Sequence, residues 1–123
     1  MAEGFARTLG LSASSAGTFP ASYVNPLVIQ AMMEEGIDIS SSKPKLLTEE
    51  MVENAGLVVL TDATLEEALR KNIRKRIGKK LLVWSISDPK SEPIEGVRFI
   101  RDQIRREVNG LAETGKDHKA LVN

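Results

Sequence analysis

An aspartate followed by proline, Asp88-Pro89, stands just beyond the apolar run Leu81 to Ile86, at the strand exit where parallel sheets carry their active-site loops. A carboxylic acid held there can hand a proton to a leaving oxygen, provided its surroundings keep it protonated beside an anion. The same dipeptide is also a common turn starter and needs no chemistry to explain it. Other reactive residue types are scarce. The 123 residues include no cysteine, which removes thiol catalysis, thiolate metal ligands and disulfides, and argues against a stapled secreted fold. His118 is the single histidine, and the residues around it offer no triad or metal partners. Glu34-Glu35 and Glu49-Glu50 fall at helix ends without a histidine or third carboxylate and read as surface charge. No glycine-rich nucleotide loop of either common type is present. The expectation is therefore no metal and no cofactor.

Charge does not point to a partner either. Acidic and basic residues balance at 17 each, so no global field draws the molecule to nucleic acid or a membrane surface. Lys71, Arg74, Lys75, Arg76, Lys79 and Lys80 form a dense basic stretch. It could meet an anionic partner, but it reads better as a solvated helix end whose cations complement the helix dipole. No apolar run approaches membrane-spanning length, and no secretory signal is visible, which gives the expectation of a soluble cytoplasmic protein.

The elements that must position Asp88 follow from apolar spacing. Met1, Phe5 and Leu9 share one face of a helix that Gly10 ends. Leu11 to Ala16 is a weak strand, closed by Gly17 and the loop containing Pro20. Asn25 can cap a helix with Pro26 in its first turn, running to Glu35 before Gly36 and buried along Leu27, Val28, Ala31 and Met32. After a loop from Ser40 to Pro44, Thr48 can cap a short helix through Asn54. Leu57 to Leu60 is continuously apolar, as a strand buried on both faces would be, and Leu81 to Ile86 reads the same way. Between them, Thr64 and Glu67 form a capping box for a helix carrying Leu65, Ala68, Leu69, Ile73 and Ile77. The last helix spans roughly Pro93 to Leu111, with Val97, Ile100, Ile104, Val108 and Leu111 at spacings of three and four. Strands alternating with helices predict one α/β domain, a short parallel sheet covered on both sides in a three-layer sandwich. It is expected over residues 1–112, followed by a disordered tail over 113–123.

In order, Met1-Ala2-Glu3-Gly4-Phe5-Ala6, Ser15-Ala16-Gly17-Thr18, Asn25-Pro26, Glu35-Gly36-Ile37-Asp38-Ile39-Ser40 and Trp84-Ser85-Ile86-Ser87-Asp88-Pro89 resemble the low-molecular-weight protein tyrosine phosphatase family. The wording around Gly36 and Trp84 is closer to its arsenate-reductase branch. The resemblance covers about Met1 to Leu111 and rests on the order of the motifs. It implies a phosphotyrosine-phosphatase-like fold and identifies Asp88 with the family's general acid, with Pro89 and Thr18 beside the binding site; the Ser14-Ser15 pair could support it, or simply end a strand.

The same resemblance shows what is absent. The family carries a first strand and a Cys-x5-Arg loop ahead of the helix that begins like Met1 to Ala6; its thiolate attacks phosphorus or arsenic while amides and the arginine hold the oxyanion. Thioredoxin-coupled arsenate reductases add two cysteines where this chain reads Thr61-Asp62-Ala63-Thr64. The chain is therefore expected to be inactive, taking a phosphate-like oxyanion only if the loop is supplied. Either the sequence starts too late, at an internal methionine, or it is a catalytically dead binding or regulatory module. An in-frame Cys-x5-Arg upstream of Met1 would mark the first case and a stop codon the second. Loss of the first strand would open a gap between Leu11–Ala16 and Leu57–Leu60. The expectation is that the gap closes by direct pairing of these strands or by a second copy of the chain, giving a homo-oligomer.

Overall fold

The computed structural model describes residues 1–17, 24–61 and 69–113, and the backbone of 120–122. Asn25 and Thr48 act as the sequence predicts. The Asn25 side chain accepts a hydrogen bond from the Leu27 amide at 2.9 Å and opens helix α2, Pro26–Met33. The Thr48 hydroxyl accepts from the Met51 amide at 3.2 Å and opens α3, Glu49–Asn54. Helix α1 covers Ala2–Thr8 with Phe5 buried. The long amphipathic helix, α5, covers Ile94–Glu113 and buries Val97, Ile100, Ile104 and Val108. Between α3 and α5 lies α4, Lys71–Ile77. The expected capping box at Thr64 and Glu67, with Leu65 and Ala68, lies outside the described residues. The helix does not run on continuously from Leu69: Arg70 is extended, with φ −64° and ψ 145°, and its guanidinium donates to the Leu47 carbonyl at 3.0 Å.

Strands β1 (Ala13–Ser15), β2 (Leu57–Leu60), β3 (Leu81–Val83) and β4 (Ala120–Val122) form one parallel sheet in the order β1-β4-β2-β3. Alternation along β2 divides the core. Val59 packs with α1, α2 and α5 on one face, while Val58 and Leu60 pack with α3 and α4 on the other. The three-layer architecture is thus as expected. The character of β3 is not. Leu81 and Leu82 are half-buried and Val83 is exposed, because β3 is the sheet edge rather than an interior strand. Burial resumes at Trp84 and Ile86, whose amides donate to Leu60 and Thr61 carbonyls at 2.7 and 2.8 Å.

The gap between β1 and β2 is closed in a way the sequence does not foreshadow. Neither direct pairing nor a second copy fills it. Instead β4 lies there, parallel to both neighbours, with Ser14 and Val58 each in register with Leu121. Residues 120–122 are therefore part of the sheet, where a disordered tail was expected, and residues 114–119 lie outside the described residues. An interior slot offers backbone partners on two sides, which favours pairing for even a short apolar segment.

Glu34 and Glu35 lie at the surface, as expected, Glu34 exposed and Glu35 half-buried, but both are paired. At the end of α2 they meet three arginines of α5. Arg98 donates to both Glu34 carboxylate oxygens, the shortest contact being 2.7 Å. Arg101, buried, donates to the Ala31 carbonyl at 3.0 Å and to Glu34 at 2.8 Å, and Arg105 donates to Glu35 at 2.9 Å. Hydrogen bonding from Arg98, then Arg101, holds the Glu34 carboxyl down at about 2 against an ordinary 4.5. The folded value lies below the unfolded one, so this contribution is fully present above about 4.5 and is lost as pH falls toward about 2. Urea midpoints should fall across that window, and Glu34→Gln should lower the midpoint at neutral pH while flattening the fall. Arg101→Ala should destabilise by about 2–3 kcal/mol, less than for a fully buried pair because its carboxylate partners keep some water contact.

Candidate functional site

The ends of β1, β2 and β3 bring three segments to one end of the sheet: Ser15 to Gly17, Thr61, and the stretch from Trp84 to Asp88. Beyond β1, Gly17 pairs with the 45–47 segment. Its amide donates to the Lys45 carbonyl at 2.8 Å and its carbonyl accepts from the Leu47 amide at 2.9 Å. This bridge draws the loop after α2 along the end of β1. Gly36, at φ +76°, reverses the chain after α2, so that Ile37 and Ile39 return against α1. Gly4 permits that approach: a side-chain carbon there would lie 3.1–3.3 Å from Met32, Ile37 and Ile39. Two of the sequence landmarks, around Gly4 and Gly36, are therefore packed on each other.

Helix α1, Ser15 at the end of β1, Val24 and Val28, and the 37–44 loop line a groove of about 430 Å3. Its apolar floor comes from Val28, Ile37 and Ile39, and its polar groups include Glu3, Arg7, Ser15, Asp38 and Lys43. Glu3 reaches in from the first turn of α1, and its carboxylate accepts from the Ser15 hydroxyl at 3.0 Å. Arg7, one turn on, donates to the Ala13 carbonyl at 3.1 Å and lies 3.8 Å from the same carboxylate. Hydrogen bonds from the Ser40 hydroxyl and then its amide, the latter 2.9 Å long, hold the Asp38 carboxyl below its usual range. The groove is thus lined by side chains of both charges. Among the described residues no cluster of three or more histidine, cysteine, aspartate or glutamate side chains could hold a metal ion.

Asp88 is exposed and is not part of the groove lining. Its side chain accepts from the Lys90 amide at 3.0 Å and caps a single 3-10 turn, Pro89–Ser91. Pro89 occupies the first position of that turn. Thr18 and His118 lie outside the described residues. Of the Ser14-Ser15 pair, Ser15 is the one in the groove.

The basic stretch is less free than the sequence suggests. Arg76 pairs with Glu49 at 3.3 Å and with Glu53, Asn72 donates to Glu49, and the Lys80 ammonium caps the end of α3 through the Val52 and Ala55 carbonyls. Part of it is thus the seam between α3 and α4. Glu3 and Arg101 are the polar residues that sequence reasoning missed. Arg98, Arg101 and Arg105 recur at helical spacing beside the apolar stripe of α5, a pattern that marks a charged seam.

A parallel sheet between helical layers, with an Asp-Pro turn after the edge strand, is the architecture of phosphatase-like α/β domains. Residues 1–121 match the family model for low molecular weight phosphotyrosine protein phosphatases, and the chain belongs to that family. An arsenate reductase of Staphylococcus aureus is 33% identical over 111 residues, covering 85% of this chain and 79% of the relative. A putative arsenate reductase of Halobacterium salinarum is 30% identical over 95 residues, 77% of this chain; the match spans 63% of that relative's length. The structure of a low molecular weight protein tyrosine phosphatase from T. tengcongensis superposes with a TM-score of 0.81 at 24% identity, covering 92% of this chain and 88% of that one, a likeness of fold.

Removing the cap at Asp88 gives a test of its structural part alone. Asp88→Ala should lower stability by roughly 0.5–1 kcal/mol in urea unfolding, whereas Asp88→Asn, which keeps an acceptor, should stay within a few tenths of the parent.

Proposed function

We propose that this chain is the acid-bearing body of a phosphatase or arsenate-reductase-type enzyme, and that the 123-residue protein lacks turnover. The observation that carries the reading is the family match over residues 1–121 in a chain without cysteine. In the proposed chemistry a thiolate, absent here, attacks phosphorus or arsenic, and Asp88 protonates the oxygen that leaves. Asp88 suits this role by position: it follows Ile86, which is tied to the carbonyl of Thr61 at the end of β2, and its turn holds the carboxylate at the strand exit. The substrate would be a phosphate-like oxyanion, with the likeness to the staphylococcal relative favouring arsenate. Thr18 and Pro89 are proposed as neighbours of that anion. No helix among the described residues is long and apolar enough to cross a membrane, and the proposed setting is the cytoplasm.

A second reading is a non-catalytic binding module of the same fold. The closure of the sheet by β4 favours it, since the chain completes its sheet without a thiolate loop. The exposed Lys71, Lys75 and Lys79 are what remains of the basic stretch for an anionic partner.

Purified 123-residue protein should show no turnover of p-nitrophenyl phosphate and no reduction of arsenate above background. Extending it before Met1 with an apolar strand and a Cys-x5-Arg loop should create phosphatase turnover, which Asp88→Asn should then lower by about 10²–10⁴-fold. Turnover by the unextended protein that disappears in Asp88→Ala would contradict the reading.

A further inference from the structure

We infer that the groove lined by α1, Val28 and the 37–44 loop is a binding site for a small amphiphilic carboxylate, its apolar body on the floor and its single negative charge at Lys43 and Arg7. Asp88 is not part of the lining, so the inference holds with or without chemistry there. At about 430 Å3 the groove falls within the roughly 300–1,000 Å3 of small-molecule sites, which pair a mainly apolar lining with a few placed polar groups.

The sign of the ligand's charge follows from which polar groups already have partners. The carboxylates do. Glu3 accepts from the Ser15 hydroxyl at 3.0 Å, and Asp38 accepts from the Ser40 amide at 2.9 Å and from the Ser40 hydroxyl. An ammonium ligand would have to compete with these bonds. The donors are freer. Arg7 uses its Nε on the Ala13 carbonyl, but its Nη2 lies 3.8 Å from Glu3, beyond hydrogen-bond length, and its side chain is 61% exposed. Lys43 is exposed and makes no hydrogen bond or ion pair among the described residues. A carboxylate supplies the acceptors that these two cations lack.

The floor requires more than a bare anion. Val28 and Ile39 are buried members of the core of α1, α2 and α5, and Val24 and Ile37 pack against it half-buried. The close approach that Gly4 permits seats Ile37 and Ile39 directly on α1, so the apolar surface is preformed and needs no reordering to receive a ligand. Covering it removes apolar area from water. Inorganic phosphate would reach the cations and leave the floor wet, whereas an alcohol of the same length would cover the floor and leave the cations without an acceptor. Only a ligand with both parts answers the whole groove.

The test is titration of the ¹⁵N-labelled 123-residue protein with sodium hexanoate, read from amide chemical shifts. Saturable shifts should appear in residues 1–8 and 37–44. Butyrate, two methylenes shorter, should bind about four- to fifteenfold more weakly, and hexanol and hexylamine at least about threefold more weakly than hexanoate. Lys43→Ala should weaken hexanoate about three- to tenfold while leaving hexanol unchanged, and Lys43→Arg should retain binding. Because Lys43 is exposed, its variants keep the fold, which unshifted amides in β2 and α5 verify. Equal binding of hexanol and hexanoate would mark a merely apolar patch and overturn the inference. So would equal binding of inorganic phosphate, no effect of Lys43→Ala, saturable shifts confined to other parts of the chain, or no saturation at all.

Discussion

An interior position in a parallel sheet must be filled on both sides, and the whole structure answers to that constraint. A buried amide or carbonyl without a partner costs about 1–3 kcal/mol, and a strand missing from the middle would expose two rows of them. The chain meets the requirement with Ala120–Val122, which pair with β1 on one side and β2 on the other. Without this bridge β1 would have no strand neighbour in the sheet, and the groove formed where β1 meets α1 and the 37–44 loop would lose its frame. The bridge is short, so the layers above and below must hold β1 and β2 at the right separation.

Charge does much of that holding. On one side Arg98, Arg101 and Arg105 clasp Glu34 and Glu35 at the end of α2, fixing α2 on α5. On the other, Arg76 and Lys80 fasten α4 and the turn after it to α3. The two clasps lie on opposite faces of the sheet. Each combines ion pairs with hydrogen bonds to backbone carbonyls, Ala31 for Arg101 and Ala55 for Lys80. A geometry fixed by several short-range partners is less sensitive to salt than a lone surface pair.

Much of the fold was legible in the sequence because local signals and burial agree. Asn25, Thr48 and Gly36 mark their helix ends through bonds to the neighbouring backbone or through a conformation glycine tolerates. The apolar run at Leu57–Leu60 and the stripe of α5 report burial directly. The missed features are those decided by distant partners. Nothing local marks Ala120–Val122 as a central strand, since its role comes from the space left between β1 and β2. Nothing around Leu81 says that β3 is an edge, because an apolar run reads alike at the middle and the edge of a sheet. Of the two readings of Asp88, the structure shows the turn; the proposed part as general acid would need a thiolate that none of the 123 residues supplies. Glu3 belongs to the first of the sequence motifs, yet its bond to Ser15, twelve residues away, is a matter of how α1 crosses β1.

Among the described residues, the sheet has β4 between β1 and β2 and no unfilled interior position. Amide hydrogen exchange followed by NMR measures this most directly, through the protection of the backbone amides of residues 57–60 and 13–15. The account predicts protection in both strands that is lost from both together when residues 120–123 are removed. Amides in β1 and β2 that exchange at the rate of an unfolded chain, or protection that survives the deletion unchanged, would contradict it.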